Sequence, residues 1–474
     1  MKRYDLIAIG GGTAGLVTAA GGAALGLRVA LVEREALGGD CLWTGCVPSK
    51  ALIAAGKLAH HMRHAERLGL VGASPAHAFE RVMRRVHEAR ARVAQHDDPE
   101  RFRRMGIDVV FGAAEFRSRD VVAVDGRELQ ARRVVVATGA EPAIPPIPGL
   151  ADVPYLTYAS AFVQTSLPRV LVVLGGGPIG LEFAQVYRRL GADVTVIEML
   201  PQLLPREDAR AAAVVGTALE REGVAVHVGA RVERVERDAG GHTVVRARAA
   251  SGESIAVSCD AVFVATGRKA STAGLGLEAI GVATEHGSVV VDPALRSSVP
   301  GVWAAGDVTG GPQFTHVAEY QAKLVLRNAL FPLTAKTDYA AVPAVTYTDP
   351  EVARVGLTER GARERHAGVQ VYRYPFADLD RAIVDGHDDG FVEIVARRGG
   401  RIVGATIVGS GAGDLLAPLV LAMRRRIPLP KLSQMVYPYP TMSEGIKRTA
   451  DAYYRAKLAG RSGAWLRRVV RWLA

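Results

Sequence analysis

Residues 4–33 read YDLIAIGGGTAGLVTAAGGAALGLRVALVE. An apolar run, a glycine cluster, a small-residue stretch and a second apolar run ending in Glu33 predict strand, turn, helix and strand. Gly10, Gly12 and Gly15 fit GxGxxG. The first permits a tight turn, the second lets a pyrophosphate approach the backbone, and the third lets the helix pack closely on the strand. The start of such a helix presents unpaired N–H groups and a positive dipole end to phosphates. Glu33 closes the second strand about 20 residues on, where a carboxylate accepts a hydrogen bond from a ribose 2′-OH. Order and spacing agree, and the segment predicts a Rossmann-like dinucleotide fold.

The same unit returns at residues 169–198, RVLVVLGGGPIGLEFAQVYRRLGADVTVIE, with Gly175, Gly177 and Gly180 in the three positions and Glu198 at the strand end. Two fingerprints in one chain imply two dinucleotides. Glu198 would repel a 2′-phosphate, and Met199 and Leu200 offer no arginine clamp, which favours NADH over NADPH. Arg206 is close enough in sequence to keep NADPH open. Two shorter echoes support the duplication: VVVATGAEP (134–142), with Thr138 and Gly139, and VFVATGRKA (262–270), with Gly267. Each predicts a β-branched strand leaving a dinucleotide-binding sheet. GVWAAGDVTGG (301–311) adds a strand and turn with Asp307, and 314–330 predicts a helix whose start faces a cofactor.

Composition agrees with this α/β reading. Hydrophobic residues make up 49% and charged residues 23%, so several packed cores are expected rather than disorder. The formal charge of +11 is spread along amphipathic stretches, without a basic block interleaved with aromatics, so no nucleic-acid partner is expected. Nothing at the N-terminus resembles an export signal, and no apolar run approaches the ~20 residues that span a bilayer. A cytoplasmic location is expected. The three cysteines are Cys41, Cys46 and Cys259, the last read as a buried structural residue. On a regular helix the spacing of Cys41 and Cys46 places the α-carbons about 7 Å apart, beyond easy disulfide reach. Gly45 and Pro48 could distort that turn. Buried thiols, half a zinc site and a redox pair all stand at this point. His60, His61 and His64 are read as an exposed helix face, and no metal-ligand set is assigned.

GGDCLWTGCVPSK (38–50) resembles the redox-active disulfide signature of the FAD-dependent class I pyridine nucleotide–disulfide oxidoreductases, the family of dihydrolipoyl dehydrogenase, glutathione reductase and mercuric reductase. The likeness extends through both GxGxxG units, both Ala-Thr-Gly strands, Asp307 and the block beginning VPAVTYTDPEVARVGLTE at residue 342. It implies two Rossmann-like domains and a C-terminal α+β dimerisation domain. The expected divisions are 1–150 for FAD, continued at 270–340; 151–269 for NAD(P)H; 341–455 for dimerisation; and 456–474 as a basic amphipathic tail. By the same resemblance, Cys46 is the flavin-proximal thiol and Cys41 the interchange thiol. Lys50 sits beside the flavin, paired to Glu182. Glu33 meets the FAD ribose, Asp307 the ribitol, and backbone at Ala114 and Thr315 completes the site. Where relatives often continue Gly-Arg with Pro-Asn-Thr, this chain has Gly267-Arg268-Lys269-Ala-Ser-Thr272.

Residues 437–444 read YPYPTMSE. Family members that act on dithiols carry His-Pro-Thr-x-Ser-Glu, whose histidine reaches the partner subunit's disulfide as a proton shuttle. Here the frame and Glu444 are kept, but the histidine position holds Tyr439. A phenol with pKa about 10 is a poor base at neutral pH. Mercuric reductases also place tyrosine in this stretch. The expected function is NADH oxidation through flavin and the cysteine pair to a metal ion, quinone or disulfide, in a homodimer with shared sites. The alternatives are dihydrolipoyl dehydrogenase and a non-catalytic redox-sensing flavoprotein. Past Gly463, Trp465, Leu466, Val469, Val470 and Leu473 share a helical face opposite Arg467, Arg468 and Arg471. That helix either docks on protein or lies weakly on a membrane surface, which would place the enzyme peripherally at the inner face.

Overall fold

The computed structural model describes residues 2–75 and 78–473. Its first layer is an all-parallel sheet in the order Val302–Ala304, Val134–Val136, Leu6–Ile9, Val29–Glu33, Ile107–Phe111. Leu6–Ile9 is buried along its whole length, as a parallel strand covered on both faces must be. Helices Thr13–Ala24 and Thr315–Leu330 pack together on this sheet. The last strand arrives only after the chain has built a second domain and returned.

That second sheet is also parallel, in the order Tyr155–Leu156, Ala261–Val264, Val170–Leu174, Asp193–Glu198, Ala225–Val228. Its crossover helix, Pro178–Arg189, packs against helix Cys46–Arg63 of the first fold. Gly56 makes the approach close, since a Cβ there would stand 2.7 Å from Val186 Cγ2. The two folds are also joined where Arg268–Ala270 pairs antiparallel with Ala140–Pro142, just after each Ala-Thr-Gly strand. The C-terminal part is a five-stranded antiparallel sheet backed by helix Glu444–Ala459, whose Ile446 and Ala450 are fully buried.

The His60/His61/His64 run differs from its reading as an exposed face. His60 stacks on His64 with ring centroids 4.3 Å apart, and its Nδ1 lies 3.9 Å from Glu222. His61 Nε2 lies 3.8 Å from Asp349. The helix end abuts two other parts of the chain, so the His60 and His61 rings are half-buried, while His64 stays exposed as expected. Burial, helped by Arg189 and His64, pushes His60 down to about 3. It is therefore a neutral ring and not an ion-pair partner.

Candidate active site

A single cleft of about 4290 Å³ runs along both dinucleotide folds. Its wall takes Gly10 and Gly12 from the first turn and Gly175 and Gly177 from the second, but neither Gly15 nor Gly180. Gly10 has φ +111° and Gly175 φ +109°, a conformation L side chains rarely adopt. A Cβ on Gly15 would fall 1.7 Å from Gly10 O, and one on Gly180 2.0 Å from Gly175 O. The third glycine is thus a packing requirement. The second differs: a Cβ on Gly177 would meet nothing within 4 Å, and on Gly12 only Gly39 Cα at 3.8 Å. Open backbone beside a helix start is the surface a pyrophosphate needs.

The strand-end carboxylates are held alike in both folds. Glu33 accepts from the backbone N–H of Gly11 at 2.6 Å and of Glu35 at 2.8 Å. Glu198 accepts from Gly176 at 2.6 Å and Leu200 at 2.7 Å. The turn itself fixes each acid at the mouth of the cleft, where it lines the wall.

Cys41 lies in the short helix Gly39–Trp43, and Cys46 opens helix Cys46–Arg63. The break at Thr44–Gly45 takes the pair off any one regular helix; a Cβ on Gly45 would stand 2.8 Å from Asp40 O. Both cysteines are free thiols. Cys46 Sγ is 3.6 Å from Thr315 Oγ1, so two helix starts meet at this sulfur. A hydrogen bond from Cys41, then Thr315 and the Lys50 charge, lowers Cys46 to about 6 against the opposing effect of burial. The same bond and burial push Cys41 far up. One turn after Cys46, Lys50 Nζ donates to Glu182 Oε2 at 2.8 Å and sits 4.4 Å from the Tyr347 ring centroid. The other oxygen of Glu182 accepts from Tyr347 N at 2.9 Å, which fixes this nearly buried carboxylate.

Arg268 is the residue the sequence reading passed over. Its guanidinium joins Asp40 at 2.6 Å and Asp307 at 3.0 Å and lies 5.2 Å from the Tyr158 ring. Tyr158 Oη also donates to Asp40 at 3.1 Å. The arginine after Gly267 therefore ties the cysteine loop, through Asp40, to Asp307. The Gly-Arg dipeptide marked it, but no local pattern links it to an acid 228 positions away. Burial raises Asp307, with Arg268 opposing.

Thr138, Gly139, Ala114, Gly267 and Thr315 also line the cleft. Two shielded polar atoms here, Thr138 Oγ1 and Arg268 Nε, have no protein partner. The open glycine turns, paired acids and orphaned polar atoms fit a dinucleotide flavin beside a nicotinamide cofactor. Tyr439 and Glu444, by contrast, do not line their own protomer's cleft. Tyr439 is 69% exposed and donates to Asp380 at 3.0 Å; Glu444 is buried and paired with Arg448 at 2.7 Å. Among the described residues one carboxylate trio, Asp208, Glu359 and Glu393, has metal-like spacing, but Arg210 lies 3.1–3.7 Å from its members and answers its charge.

Residues 4–322 match the family model described as pyridine nucleotide-disulphide oxidoreductase, and residues 342–450 match its dimerisation domain. The chain belongs to this family. A dihydrolipoyl dehydrogenase of Rhizobium etli is 34% identical, with 96% of this chain and 99% of that protein covered. A mercuric reductase of Bacillus cereus is 34% identical over 94% of this chain and 70% of its own length. Among solved structures, the Cu(II) complex of the HOCl-induced flavoprotein disulfide reductase RclA from Escherichia coli is 30% identical. It covers 95% of this chain and 100% of its own, with a TM-score of 0.85. The protein is thus an FAD-dependent oxidoreductase of the NAD(P)H-using disulfide reductase class, and its dimerisation domain indicates a homodimer.

Proposed function

We propose that this enzyme passes electrons from NADH to a thiophilic metal ion, in the manner of a mercuric reductase, rather than exchanging them with dihydrolipoamide. The observation that carries this is Tyr439. Its hydroxyl donates to Asp380, and that carboxylate holds the phenol above its ordinary range. A group that keeps its proton at neutral pH cannot relay one during thiol–disulfide exchange. Similarity to a mercuric reductase and to a flavoprotein solved with Cu(II) supports the metal side.

Bound FAD supplies hydride acceptance from the nicotinamide and delivery of an electron pair. The chain's residues do the rest. Glu33 and Glu198 would take the two riboses and Asp307 the ribitol, and Glu198 would set the preference for NADH. Thr138, Gly139, Gly267 and backbone at Ala114 and Thr315 shape the walls. The Lys50–Glu182 pair would stand beside the flavin ring. When the Cys41–Cys46 disulfide takes up two electrons and one proton, the S–S bond breaks to leave a Cys41 thiol and a Cys46 thiolate. Cys41 meets the acceptor, and its proton leaves as the metal ion binds between the sulfurs; the S–S bond then re-forms as two electrons pass from the two thiolates to the metal. Tyr439 and Glu444 reach this point from the second subunit, so an active monomer would overturn the arrangement.

The similarity to dihydrolipoyl dehydrogenase favours a second reading, with lipoamide as acceptor. NADH oxidation measured with Hg(II), Cu(II), a quinone and lipoamide in parallel separates the two. A metal ion should be reduced fastest, and Tyr439→His should raise lipoamide turnover on the order of 10²-fold while leaving the metal rate nearly unchanged. Lipoamide as the fastest acceptor of the native enzyme would sink the proposal. A disulfide that NADH reduces while no acceptor turns over would point instead to a redox sensor.

A further inference from the structure

Helix Arg461–Leu473 follows Glu444–Ala459 after Gly460 and meets it at Leu458. A Cβ on Gly463 would stand 1.8 Å from Leu458 O, and Arg467 Nη1 donates to that oxygen at 2.7 Å. Little else of it is covered. Trp465 is 66% exposed, Val470 55%, Trp472 82% and Leu473 72%. From Trp465 onward, at about 100° per residue, Trp472, Trp465, Val469, Leu473, Leu466 and Val470 fill one arc. Arg467, Arg471 and Arg468 fill the other. From Arg455 onward the described chain carries Lys and Arg but no Asp or Glu.

We propose that this helix is an interfacial anchor that lies on an anionic lipid bilayer, with its tryptophan face among the acyl-chain ends and its arginines on headgroup phosphates. Three observations favour that occupant. The charge is of one sign and flanks the apolar arc on both sides, which matches a phosphate layer and not the charge-depleted centre of a protein interface. Two exposed tryptophans head the apolar arc, and indole is enriched at the depth where headgroups meet hydrocarbon. The dimerisation-domain match stops at residue 450, before the helix begins at Arg461. The helix does not cross the membrane: no helix among the described residues is long and apolar enough. Anchoring would hold the enzyme at a lipid surface whatever its acceptor, so this inference stands apart from the proposed function.

The test is co-sedimentation of the full-length, FAD-loaded enzyme with vesicles of phosphatidylcholine alone or mixed equally with phosphatidylglycerol. Binding should require the anionic lipid, weaken with salt and blue-shift tryptophan emission. Replacing Arg467, Arg468 and Arg471 by Gln should weaken partitioning by about fivefold per charge, on the order of 100-fold together. Trp465→Ser with Trp472→Ser should abolish the emission shift. In both variants the dimer mass and NADH reduction of the flavin should be unchanged. Failure of the native enzyme to bind anionic vesicles would overturn the proposal. So would loss of the dimer in either variant, which would assign the helix to a second copy of the chain.

Discussion

At Cys46 the chemistry is set by which of two sulfurs keeps a proton. The Cys41 thiol donates to it, the Thr315 hydroxyl and the Lys50 charge add to that, and burial and Glu182 oppose them. The result is a thiolate above about pH 6, beside a Cys41 that stays protonated because the same bond and its burial push it up. Alkylation of the NADH-reduced enzyme by iodoacetamide, followed by peptide mass mapping, should therefore modify Cys46 at a rate that rises through about pH 6 and then levels. Cys41→Ala removes the leading donor, and the midpoint should climb toward the ordinary thiol value of about 8.5. An unmoved midpoint would show that helix starts and Lys50 alone hold the thiolate. The sequence signature placed both cysteines and Lys50, because those positions are local. The family resemblance brought Thr315 to the site through its backbone, but not its hydroxyl against Cys46, 269 residues away.

At the scale of the strand–turn–helix element, the two glycine fingerprints separate ligand cradle from packing. Gly177 has ordinary extended backbone (φ −78°) and open space where a Cβ would go. Gly177→Ala should leave the unfolding midpoint in place yet weaken NADH binding about tenfold, because the methyl occupies the pyrophosphate's approach. Gly180→Ala instead drives a methyl into Gly175 O and should cost about 1–3 kcal/mol or more of stability. Thermal unfolding and an NADH titration of both variants check the contrast; equal behaviour would mean the turn repacks freely. These elements were legible because their periodicity and turn chemistry are written within thirty residues or so. The burial of His60 and His61 was not, since it comes from the distant Glu222 and Asp349. Nor was the pairing of Arg268–Ala270 with Ala140–Pro142, whose register depends on how the two folds meet. The order of the antiparallel C-terminal sheet was equally hidden, because contacts between distant segments decide it.

At the scale of the whole molecule, Arg189 closes the junction between all three parts. Its side chain is 4% exposed and donates to both oxygens of Glu222, at 2.7 and 2.6 Å, and to Asp349 at 3.1 Å. Its backbone carbonyl accepts from Arg63, near the end of the helix that Cys46 begins. Gln185 adds bonds to Glu222 and to both backbone groups of Asp349. The helix that Cys46 begins, the helix bearing Glu182 and the first turn of the C-terminal domain are thus clamped together. Burial opposes the charge on Asp349, but His61, Arg189 and Lys57 together hold its carboxyl well below the usual range. Arg189→Ala would leave two largely buried carboxylates short of their main partner, at a cost of about 3–5 kcal/mol. Arg189→Lys should restore only part, since an ammonium cannot fork between two acids. The pH dependence has a definite sign. A depressed carboxylate contributes stability above its unfolded pKa of about 3.9, and loses it as pH falls through the lower folded value. Removing Arg189 should raise the folded value, shrink the contribution and move the acid-unfolding midpoint upward. Urea unfolding at pH 7 and acid titration followed by near-UV circular dichroism measure both effects. If Arg189→Ala unfolds at the native midpoint in each, the junction is held by apolar packing and the buried charges are passengers.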